Sequence, residues 1–386
     1  MGAFDGVNAP TLKIQFWFNN AWTDVPTADL RSVDIYRGRT RSDQRIDPGQ
    51  AIITLDNRSG NYDPDNSSSP WWITSSGRTS LTADLRCRVL ATWSSITYTL
   101  YIGYLETTKL DAGFDATATM TFVDAIMVLG RYSAPVLKTA SFSGETTSTR
   151  VGRMLTYAGW TGGRSLTGSV QLAATTQGTT NAPQPIMDFI YQCEDAEAGC
   201  FYISRTGTAT FVNLTNKFSR PTQLTFDDQQ TANTVEYDEI DINPGIFNFI
   251  NAALVNFIDK NRKSQQVLWK NTPSITKYGL KIKQFDTQIL SGAVAKKLAQ
   301  YYGTYTKNPK TWCASVGFNA LALGALYPDF LETEIQDLCI VKRRTVDGRN
   351  LTFNLTIEGF RHSITATSWR TTYYTSPISA TRVTLP

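Results

Sequence analysis

Short runs of alternating apolar and polar residues, repeated along the chain and separated by polar turns, constrain this sequence more than any other feature. Leu12-Lys-Ile-Gln-Phe-Trp-Phe18 alternates and breaks at Asn19-Asn20. Leu30 to Tyr36 sets Val33 and Ile35 two apart, and Ala51 to Leu55 alternates again before the turn-rich stretch Asp56 to Pro70. A period of two sends successive side chains to opposite faces of a sheet, so each run can bury one face and leave the other in solvent. Cys87 to Trp93, Thr97 to Leu105 and Ala116 to Val123 continue the pattern, and many short strands with polar turns make a sandwich or barrel. Charged residues are only 18% and aromatic residues 12%, a balance that favours pleated sheets over helices.

The middle of the chain changes period. Val151, Met154, Leu155 and Ala158 form one helical stripe between Arg150 and Trp160. Ile186, Phe189, Ile190 and Cys193 form a second, followed by a hairpin through Arg205-Thr206-Gly207. Strands return from about residue 232, including an apolar run from Phe247 to Ile258, with one further amphipathic helix expected over Thr287 to Tyr302. A chain of 386 residues exceeds one ordinary core. The expected organisation is mainly β with an α+β insert: a barrel-like domain over 1–130, a small α+β domain over 131–225 and a second barrel-like domain over 226–386.

Chemistry is sparse. The single histidine, His362, excludes a multi-histidine metal site and reads as a hydrogen-bonding residue in a strand. No G-x-S-x-G elbow, dinucleotide fingerprint or phosphate loop is present. Asp56, Asp63 and Asp65, with Asn57, Asn61 and Asn66 between them, supply oxygen ligands at short spacing. They lack the EF-hand order and enclose Arg58, so they read as turn builders. Asp227, Asp228, Glu236, Asp238 and Glu239 read as an exposed acidic patch. No catalytic residue, cofactor or metal is expected, and the chain is expected not to be an enzyme.

The net charge of +4 is small and the basic clusters at Arg37 to Arg41, Lys260 to Lys263 and Lys342 to Arg344 are short, which argues against specific nucleic-acid recognition. Five scattered cysteines read as buried free thiols made in a reducing cytoplasm. Met1 to Pro10 has no signal-peptide pattern, no catalytic domain is expected beyond Pro386, and no apolar run is long enough to span a membrane.

Two blocks carry a family resemblance. Trp22-Thr-Asp-Val through Arg37-Gly-Arg39, then Gly49 to Leu55 closed by Asp56-Asn-Arg-Ser-Gly-Asn-Tyr-Asp-Pro64, resemble the opening of minor tail or hub proteins of long-tailed phages. Asp188 to Gly199, Tyr278-Gly279 and Gly359-Phe-Arg-His362 are similar to later parts of that family. Its Gly-Asp-x-Val strand motif stands here as Gln336-Asp337-Leu338-Cys339, and its Asp-x-Asp-Gly turn as Ser204-Arg205-Thr206-Gly207. The resemblance spans nearly the whole chain and is similar, at the level of the family, to contractile-tail hubs.

The resemblance implies two barrel domains per chain and a homotrimeric, pseudo-sixfold ring in the tail tip of the virion. Its implied neighbours are the distal tail protein, the tail tube, the end of the tape-measure protein, and a tail fibre or spike. DNA would pass through without specific contact. The aromatic load of Leu12 to Leu55 exceeds what one core requires, so that block is expected to dock a neighbour. The interface candidates are Trp17, Trp22, Arg37, Arg39, Trp71 and Trp72. For Trp71-Trp72, packing back over the sheet is the equal alternative. The runner-up function is a host-receptor or carbohydrate-binding module with Trp71, Trp72 and Trp160 as sugar platforms.

Overall fold

The structure is a computed structural model and describes residues 9–83, 85–178, 182–229, 231–245 and 249–378. The leader reading on residues 1–8, the expected strand start at Phe247 and the chain end at Pro386 lie outside them.

The alternating runs form a largely antiparallel sheet of 13 strands. From one edge its path runs through Glu239–Asn243, Trp312–Asn319, Trp369–Pro377, Asn350–Thr365, Leu30–Gly38 and Asp47–Asp56. It continues through Thr117–Val123, Ile96–Asp111, Arg86–Trp93 and Thr11–Phe18 to Ala21–Asp24. Leu338–Arg344 pairs with the first half of Asn350–Thr365 and, in parallel, with Thr222–Asp227. The alternation is visible in burial: Leu12, Ile14 and Phe16 point inward, as do Ala51, Ile53, Leu55, Ala118, Met120 and Phe122.

Strands from 1–130 and from 226–386 lie in one hydrogen-bonded sheet. The link is Asn350–Thr365, whose second half pairs with Leu30–Gly38 from Gly359 opposite Gly38 to Thr365 opposite Ser32. At the crossing the register of Asn350–Thr365 against Trp369–Pro377 shifts between Ile357 and Gly359. That irregularity turns the Glu358 side chain into the interior, as a bulge re-aims a residue. Gly38 sits at φ 93°, and a Cβ there would lie 2.3 Å from the Glu358 carbonyl oxygen. Only glycine fits both the backbone and the approach.

In the middle of the chain, helices Thr147–Tyr157 and Ile186–Glu197 pack together beside the hairpin Cys200–Ile203/Ala209–Val212. Thr146 caps the first helix by accepting from the Thr149 amide. The expected helix over Thr287 to Tyr302 instead spans Gly292–Tyr305. Residues 287–290 are drawn into pairing: the Thr287 amide donates to Asn256, Leu290 to Gln171, and Ala173 back to Gln288. Tertiary hydrogen bonds override the helical period there. That helix covers a small sheet of Ser264–Lys270, Ala252–Ile258 and Ile282–Asp286.

The buried Glu358 carboxylate accepts from Arg39 Nε at 2.8 Å, Gln336 Nε2 at 3.0 Å, Lys217 Nζ at 3.0 Å and the Ser376 hydroxyl. Burial alone would raise its pKa, but Arg39 and Lys217 outweigh burial and hold the group well below the ordinary carboxylate range. The unfolded chain thus takes up the proton first, so this contribution is complete above about pH 4.5 and is lost as the pH falls. Glu358→Ala leaves two buried cations without their partner and is expected to cost about 3–5 kcal/mol in urea unfolding at neutral pH.

Candidate functional site

The loop 39–45, the end of helix Ile186–Glu197 and the helix Gly292–Tyr305 meet around a cleft of about 740 Å³. Each wall comes from a different part of the chain. Arg45 fixes the first two together, donating to Glu194 and Asp195 at 2.7 Å each, with its guanidinium 4.9 Å from the centre of the Tyr191 ring. The third wall is aromatic. Phe285 and Tyr302 stack at 4.0 Å, and Tyr301 and Tyr305 stack at 5.6 Å. Lys283 lies 5.2 Å over the Phe285 ring, and Lys310 stands exposed on the rim.

A second surface forms at the far edge of the large sheet. Trp17 and Trp22 face one another across paired strands with ring centres 5.3 Å apart. Arg86 lies 5.6 and 5.4 Å over them, and Arg88 lies 4.5 Å over Trp22. All four side chains are half-buried, making an aromatic–guanidinium cluster of the kind enriched at protein interfaces.

The six expected interface residues divide. Trp17 and Trp22 sit in this cluster, and Trp72 is half-buried in the short pairing of Trp72–Ile73 with Arg78–Thr79. The other three, Arg37, Arg39 and Trp71, turn inward. Trp71 is 3% exposed and packs on Phe16 and Phe18 with centroids at 5.1 and 5.6 Å. Arg37 is 2% exposed and donates to Glu334 and to the Ile203 carbonyl at 2.7 Å each. Arg39 holds Glu358. The Arg-Gly-Arg signature thus acts inside the chain, one arginine toward each side of the Gly38 crossing.

The remaining sequence candidates are engaged locally. Asp56 accepts from Arg31 and Arg58, while Asp63 and Asn66 accept from the amides of Asp65 and Ser68 at 2.9 Å each, as turn residues do. Asp238 and Glu239 pair with Arg370 at 2.8 and 2.9 Å, and Asp227 lies 3.7 Å from Lys342. Glu236 is exposed and Asp228 accepts from the Arg344 amide. The Trp160 indole donates to the Gly163 carbonyl at 3.1 Å. His362 is buried with Nδ1 2.8 Å from the Thr371 hydroxyl. Burial, and then Arg37, push its pKa down to about 3. All five cysteines are free and buried. Among the described residues no three His, Cys, Asp or Glu side chains group to hold a metal, and no helix is long and apolar enough to cross a membrane.

Sequence reasoning did not find the cleft or Glu358. Nothing in the run Thr356-Ile-Glu-Gly359 marks its glutamate as interior; the only signal is a charge falling where the alternation slips by one. Gln336 carried a trace. It stands where the resembled family has glycine, at φ 73°, and its side chain donates to Glu358.

The fold is that of phage tail proteins. A tail protein of Neisseria meningitidis matches 94% of this chain and 96% of its own, with a TM-score of 0.61 at 9% identity. The 43 kDa tail protein of prophage MuSo2 from Shewanella oneidensis matches 95% and 98%, at 0.59 and 9%. Prophage tail protein gp18 of Listeria monocytogenes matches 95% and 95%, at 0.53 and 8%. No protein-family model and no curated protein sequence matches the chain.

Trp71→Ala is expected to cost about 3–5 kcal/mol in urea unfolding, the cost of emptying a packed aromatic site. His362 titrates far lower folded than its ordinary value of 6.5. The unfolded state therefore gains a proton first, and stability is lost as the pH falls from 6.5 toward 3. His362→Gln is expected to flatten that part of the pH–stability curve, read by thermal unfolding across the same range.

Proposed function

We propose that this protein is a structural hub at the tip of a phage tail, working by assembly and not by catalysis. Three copies form a ring in which the two β halves of each chain contribute successive, similar segments. This gives the pseudo-sixfold face that a sixfold tube requires and the threefold face that a fibre or spike requires. In this reading the chain is made in the host cytoplasm and ends in the virion, between the distal tail protein or tail tube and the tip fibre or spike. The end of the tape-measure protein is a further neighbour.

The observation that carries the reading is the single sheet. A joint between tube and tip must transmit load between both halves of each subunit, and continuous backbone pairing through Asn350–Thr365 and Leu30–Gly38 does so. The end-to-end likeness of the fold to tail proteins supports the same assignment.

Passage of DNA without gripping it agrees with how the charges are used. On the outer side of the sheet Arg361 pairs with Asp34 at 3.0 Å, Lys13 with Asp24 at 3.1 Å and Arg370 with Asp238. Guanidinium and ammonium groups already paired offer phosphates little net attraction.

The full chain, examined by sedimentation and negative-stain imaging, is expected to form threefold rings with an open centre, alone or on addition of the distal tail protein. A monomer under both conditions, together with glycan binding, would sink the hub reading in favour of a receptor-binding module.

A further inference from the structure

The aromatic cleft has a chemical counterpart at the opposite end of the sheet. The hairpin from Ile96–Asp111 to Thr117–Val123 ends in Asp111-Ala-Gly-Phe-Asp115, where Phe114 is 92% exposed and Leu110 just before it is 41% exposed. A phenyl ring held in water at the end of a long hairpin forgoes a burial worth about 1.5–3 kcal/mol. Asp115 beside it makes no ion pair among the described residues, its charge bearing on Arg58, and Asp111 pairs with Lys109 of its own strand at 3.1 Å and accepts from the Thr117 hydroxyl at 3.2 Å.

Strand register sets the distance between tip and cleft. The cleft loop 39–45 follows Gly38, which lies opposite Asp47. The tip lies beyond Asp56, which lies opposite Thr117, itself opposite Asp111. The ten residues of Asp47–Asp56 separate them, a span of about 30 Å at strand rise. A sheet that rigid cannot bring its own tip to its own cleft.

The two surfaces match in shape class and charge. The cleft offers stacked rings of Phe285 and Tyr302, Lys283 over Phe285, and exposed Lys310 and Asp286 on its lining; neither lysine enters an ion pair among the described residues. The tip offers one aromatic ring between two carboxylates.

We propose that the Asp111–Asp115 tip of one copy docks in the aromatic cleft of a second copy, with Phe114 against the rings and Asp115 toward Lys283 and Lys310. Tip and cleft are different patches, so the contact is heterologous, and it closes a ring when the rotation between copies divides a full turn. It deepens the hub reading and rests on it for the number of copies.

The test is sedimentation of the full chain over a range of concentrations. Phe114, Asp115, Lys283 and Lys310 are all exposed, so their variants are expected to fold, as circular dichroism and thermal unfolding would verify. The wild type is expected to associate. Phe114→Ser, Asp115→Lys and the double variant Lys283→Glu/Lys310→Glu are each expected to weaken association at least tenfold. Combining Asp115→Lys with the two cleft reversals in one chain is expected to restore it.

If the wild type associates and all variants associate equally, the docking contact is overturned while the ring stands on other surfaces. Tip-dependent association that images as open chains would keep the contact and overturn the ring. A wild type that stays monomeric throughout overturns the contact and leaves the cleft to a different protein.

Discussion

A fully buried carboxylate, that of Glu358, holds the three parts of this protein to one another. Its donors come from the first β segment (Arg39), from the insert (Lys217) and from the last β segment (Gln336 and Ser376). Removing one ion from water is costly, and a buried charge persists only when its lone pairs are met by well-placed donors. Here four donors converge, two of them cations. The backbone irregularity that points Glu358 inward, and the glycines that let the strands cross, serve that convergence.

From that junction the larger geometry follows. With Arg39 anchored, the loop 39–45 is set against the insert, where Arg45 reaches Glu194 and Asp195. The neighbouring arginine, Arg37, runs to Glu334 and the Ile203 carbonyl. Two buried arginines flanking one glycine thus tie the insert and both halves of the sheet into one framework. The cleft is the space left where these parts meet, and its aromatic wall belongs to the small sheet-and-helix unit of the last segment.

Much of the fold could be read from the chain. The period-two runs mark their strands, the stripe through Ile186, Phe189, Ile190 and Cys193 marks its helix, and Asn19-Asn20 marks a turn, with both residues at positive φ. The helix at Gly292–Tyr305 was misjudged at its start because hydrogen bonds to Gln171 and Asn256 are long-range. Of the site, only Trp17 and Trp22 were legible as surface. Arginines have no period of their own, so Arg37 and Arg39 looked like surface charge until their acceptors, some three hundred residues away in sequence, were in place.

By itself the sequence determined that this protein is built of sheets with a helical insert, that it holds five scattered cysteines and a lone histidine, and which family its opening resembles. Those conclusions rest on local period and residue inventory, which need no partner in space. The tertiary structure decided that the outer β segments share one sheet, that the Arg-Gly-Arg signature faces inward, and that an acidic aromatic tip and a basic aromatic cleft stand at opposite ends. Each depends on contacts between distant residues, and a side chain's role there is set by what the fold brings against it.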